Sequence, residues 1–194
     1  SYVVYQTRSP ATGKGKLLLP LSNPQTAQGL LKLALAIARE RNYEIECIQV
    51  IPVPRHGSPA ETAVNTVASR RLLASATRQA KNWQIPMHTQ IRATHSVSQA
   101  ILETVNEQRV DILLMGWKGS TSTPGRIFGD VVDTIIRQAK CDVMLVKLGD
   151  EFADFANGTP SQSSLSMSTL LHLTGLNRWL VPVAGGPNSQ HAIT

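Results

Sequence analysis

The sequence predicts an α/β fold, an open five-stranded parallel sheet with helices on both faces, on three observations. Strand-like and helix-like segments alternate from Lys16 to Leu148, the order that builds strand-crossover-strand units. The runs "KLLLPL" (Lys16–Leu21) and "VDILLMG" (Val110–Gly116) are continuously apolar, as strands covered on both faces are. A glycine-rich turn follows the fourth strand, at the carboxyl edge where such sheets bind ligands.

The elements follow in order. After "KLLLPL", Ser22 or Asn23 caps a helix with Pro24 in its first turn. Ala27, Leu30, Leu31, Ala34 and Ala38 recur at helical spacing to about Arg41. "YEIECIQVIPV" (Tyr43–Val53) is a strand closed by a proline-containing loop, and a second helix runs from about Glu61 to Asn82. Ile85, Met87, Thr89, Ile91 and Ala93 alternate with more polar neighbours, the pattern of a half-buried strand. Ser96-x-x-Gln99 is a capping box opening a third helix with Val97, Ile101 and Val105 on one face. "VDILLMG", the glycine turn, the helix "DVVDTIIRQA" (Asp130–Ala139) and the strand "DVMLVKL" (Asp142–Leu148) complete the series.

Residues 1–15 read as a basic leader, and 16–149 as the domain. Residues 150–176, rich in Ser, Thr and Gly, read as a linker with one short helix around Leu165–Leu173. In 177–194, "LVPVAGGPNSQHAI" (Leu180–Ile193) echoes "LLPLSNPQTAQGLL" (Leu18–Leu31), with Pro182 matching Pro20 and Gln190 matching Gln28. That is the first strand and helix start of a second, truncated copy. With no initiator methionine before Ser1, the chain reads as a piece of a longer polypeptide.

The bulk numbers narrow the function classes. Hydrophobic residues make up 42% and charged ones 16% of 194 residues, an ordinary globular balance. The net charge of +6 comes from nineteen scattered Lys and Arg, and aromatics are only 5%. Nucleic-acid binding would want a basic stripe with aromatics interleaved. Only "TRSPATGKGK" (Thr7–Lys16) is basic and free of acids. It reads either as solvated surface or as a segment flanking a membrane helix on its cytoplasmic side. Cys47 and Cys141 lie far apart, which suits a reducing compartment. The five histidines show no metal-ligand spacing. No nucleophile elbow or Cys–His partner is present, so a non-catalytic domain is expected.

Chemistry concentrates in "MGWKGSTSTPGRIFGD" (Met115–Asp130). Gly116-x2-Gly119-x9-Gly129 lets backbone approach a ligand. Gly129 stands at a helix start, where unpaired N–H groups favour anions. Lys118 and Arg126 lie inside the turn, as anion partners or as solvated charges. Trp117 either stacks on a base or packs against a neighbouring chain.

The strand "VDILLMG", this glycine spacing and the ending "AKCDVMLVK" together resemble the universal stress protein family, along residues 16–148. The resemblance implies a Rossmann-like sheet of strand order 3-2-1-4-5, universal-stress-protein type. It also implies an adenine-nucleotide site at Gly116, Lys118, Gly119, Arg126, Gly129, Asp130, Ser22 and Ile51. Two positions depart from the family's nucleotide-binding members. Asp130 stands where Ser or Thr follows the last glycine, and Ser22 stands where an Asp ends the first strand. A carboxylate at a helix N-terminus caps the N–H groups a phosphate would use. The implied ligand is therefore AMP, or ATP with Mg²⁺ bridging Asp130 to phosphate.

The strand turns look like tandem copies fused to the C-termini of amino-acid and cation permeases. That implies a non-catalytic regulatory or sensor domain on the cytoplasmic side of the cell membrane, covalently linked to a transporter. The alternative is a soluble, stand-alone tandem stress protein that binds ATP. In the family the last strand often pairs with a partner's, which implies a homodimer, or pairing with the second copy, through Val143–Val146.

Overall fold

The computed structural model describes residues 1–54, 56, 59–117 and 128–147. Ten elements follow in order: β1 (Tyr2–Thr7), β2 (Gly15–Pro20), α1 (Pro24–Arg41), β3 (Tyr43–Pro52), α2 (Pro59–Asn82), β4 (Met87–Thr94), α3 (Val97–Gln108), β5 (Ile112–Trp117), α4 (Asp130–Gln138) and β6 (Asp142–Lys147). They form one six-stranded sheet of order β1-β4-β3-β2-β5-β6. From β2 onward the strands are parallel and take the expected 3-2-1-4-5 order.

The strand count differs from the expected five. "YVVYQT", inside the segment read as leader, forms β1 antiparallel to β4, pairing Tyr2 with Ala93 and Thr7 with Thr89. Its β-branched and aromatic residues suit a pleated edge; the basic residues that follow it drew the reading toward a linker. The linker and the second copy lie outside the described residues.

Helices α1 and α2 cover one face. Leu17, Leu19, Ile45, Cys47, Met87 and Ile91 of the sheet meet Leu31, Ala34, Leu35 and Ala38 of α1 and Leu73, Ala76 and Ala80 of α2. On the other face Leu18, Ile48, Leu113 and Met115 meet Ile101 and Val105 of α3 and Val132 and Ile135 of α4. The two-residue alternation of strands and the 3.6-residue repeat of helices produce these two layers.

Local signals set the ends. Asn23 caps α1, its Oδ1 accepting from the N–H of Gln25 at 2.9 Å, with Pro24 behind it. Asn42 ends the helix at φ 55°, a left-handed position that Asn tolerates. Ser96 caps α3, its Oγ accepting from Gln99 N–H at 3.4 Å. The reciprocal half of the expected capping box is replaced. Gln99 Nε2 donates to Glu103, and Thr94 Oγ1 accepts from Ser96 N–H at 3.0 Å.

Strand β4 departs furthest from its pattern: every residue is buried, where alternation suggested half-burial. Met87 and Ile91 lie in the apolar layer with α1 and α2. His88, Gln90 and Arg92 on the opposite side are covered as well, because β1 and the residues after it close the edge.

Candidate functional site

The carboxyl ends of β2, β3 and β5 meet at one edge. Leu18 pairs with Glu46 of β3 and with Leu113 of β5. Continuing that register brings Ser22, Ile51 and Gly116 to the same edge. Ser22 is exposed just past β2, Ile51 is half-buried in β3, and Gly116 is half-buried near the end of β5. Lys118, Gly119 and Arg126, with the hydroxyl run Ser120–Thr123, lie outside the described residues.

The far side of the glycine turn is the start of α4. Gly129 is its N-cap at φ 105°. Only glycine adopts that backbone without strain. Asp130 is the first helical residue, exposed, one position past the Gly129 N-cap. Asp133 reaches back, its Oδ1 3.4 Å from the N–H of Phe128. Both carboxylates lie in the first turn, where the positive end of the helix favours negative charge.

Trp117 packs inside its own chain. Its ring meets Phe128 edge to face, centroids 4.9 Å apart at 83°. The pair joins the residue before 118–127 to the residue after it. Trp117 Nε1 and Gln49 Oε1 are buried without a hydrogen-bond partner among the described residues. His95 Nδ1 lies 2.7 Å from the carbonyl of Val53, tying the ends of β3 and β4.

Neither thiol is set up as a nucleophile. Burial, with Glu46 beside it, pushes Cys47 far up. Burial, then Asp142, pushes Cys141 up to about 11. Asp111 Oδ2 accepts from Lys16 N–H at 2.8 Å, a strand-start tie away from the ligand edge. A cleft of about 260 Å³, lined by Tyr43, Asp111, Lys140, Cys141 and Asp142, lies at that amino edge. Among the described residues no group of three metal-ligating side chains converges.

A second polar constellation escaped the sequence reading. Glu44, Glu46, His88, Gln90, Arg92 and Thr104 are all buried. Arg92 Nη1 donates to Thr104 Oγ1 at 2.8 Å and to Glu107 at 2.7 Å. Lys16 Nζ lies 3.2 Å from Glu44. Burial works to raise the Glu44 carboxyl, but the Gly13 N–H and the Lys16 ammonium outweigh it and hold it below the ordinary carboxylate range. The signal was present in the alternation of polar residues along two strands, but it means burial only once Glu46 is known to lie opposite His88.

The sheet order and the glycine at φ 105° ahead of α4 now stand together. The sequence pattern of the universal stress protein family matches residues 14–147. The chain belongs to the universal stress protein family. It is 28% identical over 140 residues to the Na(+)/H(+) antiporter NhaS5 of Synechocystis sp., a match that takes in 72% of this chain and 20% of the antiporter. The chain thus spans one part of a much longer relative. It is 26% identical over 139 residues to the universal stress protein MJ0531 of Methanocaldococcus jannaschii, covering 68% of this chain and 81% of that protein. In fold it is similar to a universal stress protein solved in complex with cAMP (TM-score 0.54, 18% identity, 71% of this chain and 98% of that one). The same holds for the Archaeoglobus fulgidus universal stress protein solved with dAMP (TM-score 0.54, 14% identity, 69% and 98%).

Proposed function

We propose that this family domain is a non-catalytic regulatory module that binds an adenine nucleotide at the carboxyl edge of its sheet. The observation that carries the reading is Gly129, held at φ 105° as the N-cap of α4. Its N–H groups suit an anion. Ser22, Ile51 and Gly116 end at the same edge, and Lys118, Gly119 and Arg126 belong to the connecting turn by sequence. The nucleotide complexes of the similar structures support the ligand class. Asp130, at the first turn, repels a polyphosphate and disfavours ATP relative to AMP unless Mg²⁺ bridges it.

The antiporter relative supports attachment to a membrane transporter of amino acids or cations, with this domain at its cytoplasmic side. No helix among the described residues is long and apolar enough to cross a membrane. The similarity to MJ0531 over most of its length favours a second reading, a stand-alone stress protein that binds ATP. For either reading, the half-buried edge strand β6 offers Val143–Val146 for pairing with a second copy.

Titration calorimetry with AMP, ADP and ATP, with and without Mg²⁺, tests the nucleotide reading. AMP is expected to bind more tightly than Mg²⁺-free ATP, and Asp130→Ser to strengthen ATP binding about tenfold by removing the like charge. No heat with any nucleotide, in either form of the protein, would overturn it.

A further inference from the structure

The family match begins at residue 14, and the five parallel strands are complete without what precedes it. Residues 2–13 nevertheless lie along the sheet. β1 pairs with β4 through a register that slips between Val3 and Tyr5. Tyr2 and Val3 are 58% and 42% exposed, so apolar burial holds this segment only in part. Tyr5 packs on the core, with the Arg70 guanidinium 4.6 Å from its ring centroid.

Polar contacts do the remainder. Thr7 and Thr89 hydroxyls meet at 2.6 Å, and Arg8 Nη1 donates to Glu46 at 2.7 Å. The N–H of Ser9 donates to His88 Nδ1 at 3.0 Å, and the N–H of Gly13 donates to Glu44 at 2.9 Å. The approach at Gly13 is so close that a Cβ there would run into the backbone of Tyr43 and Glu44. The acceptors are buried side chains of the sheet: Glu46, Glu44 and His88.

The hydrogen bonds assign the imidazole tautomer. Nδ1 accepts from Ser9, so the proton of the neutral ring sits on Nε2, which lies 3.4 Å from Glu44 Oε1. A second proton would enter at Nδ1 and face the Ser9 N–H donor to donor. The charged groups on this face are Lys16 of β2, Glu44 and Glu46 of β3, Arg92 of β4, Arg8 ahead of them, and Glu103 and Glu107 of α3. Protonation therefore costs the segment its bond.

We propose that residues 2–13 form a detachable strap on the β4 edge, docked by Arg8 and latched by neutral His88, and loosened when His88 gains a proton. Imidazoles as a class change charge between about pH 5 and about pH 8, the range over which the latch is tested. The nucleotide reading is not needed for it.

Hydrogen exchange on the full 194-residue chain, at about pH 7.5 and about pH 5.5 and corrected for intrinsic rates, reads the strap directly. Protection at Tyr2–Thr7 and Ser9 is expected to fall about tenfold at the lower pH while β2 and β5 keep theirs. His88→Asn places a carbonyl oxygen toward Ser9 that gains no proton, and its β1 protection should be the same at both pH values. Equal β1 protection at both pH values in the unaltered chain would overturn the proposal, as would an undiminished pH effect in His88→Asn. Where His88→Asn does not fold, the ¹⁵N titration of His88 in the unaltered chain decides. A midpoint shared with β1 release supports the latch, and separate midpoints overturn it.

Discussion

The two faces of the sheet are held by different forces. Under α1 and α2, the described core is built of leucines, isoleucines and alanines with Cys47 and Met87. Under α3 and α4 the layer is apolar too near β2 and β5, but toward β4 it turns polar, with Glu44, Glu46, His88, Gln90 and Arg92 buried side by side. Apolar burial is indifferent to a proton. A buried ion pair depends on both partners being present and charged. The first face sets how stable the domain is, and the second is where pH and the strap act on it.

Three changes sharpen that contrast. The largest effect belongs to the apolar face. Leu35, fully buried in α1, should cost about 3 kcal/mol as Leu35→Ala, read as a lower urea midpoint at unchanged slope and equally at pH 7 and pH 5.5. On the polar face, Thr104 Oγ1 accepts from Arg92 and donates to the carbonyl of Ala100. Thr104→Val keeps the volume and removes both bonds, at a cost of about 1 kcal/mol. A loss as large as that of Leu35→Ala would mean the Arg92 network governs the fold as strongly as the apolar layer does.

The smallest effect is one of slope. The Glu44 carboxyl is held below its ordinary range in the folded chain. The unfolded chain therefore binds its proton at higher pH. The stabilisation is full above the unfolded value, near 4.3, and is lost as pH falls through the folded one. Urea midpoints measured from about pH 5 down to about pH 3 should fall less steeply in Glu44→Gln than in the unaltered chain. Parallel curves would place the acid sensitivity of this face elsewhere.

Much of this architecture was legible from residue order alone. The parallel strands, the helices between them and the Asn23 and Ser96 caps follow from periodicity and local hydrogen bonding, which act within a few residues of chain. The glycine spacing was equally plain, and so was a break at Gly129. The strap was not legible, although "YVVYQT" has the composition of a strand. Nothing within the segment says that its partner lies at Met87–Thr94. Nor does the sequence say that Asp133, three residues past Asp130, takes the Phe128 N–H, since both carboxylates fit a first helical turn.

What the sequence by itself determined is the set of elements and the apolar stripe of each, because both are written in short-range patterns. What only the tertiary structure decided is which polar residues became buried. His88, Gln90 and Arg92 read as the wet side of a strand until β1 and α3 closed over them and Arg8 arrived opposite Glu46. Burial of a polar group depends on what covers it from distant parts of the chain, and that is a property of the assembled sheet.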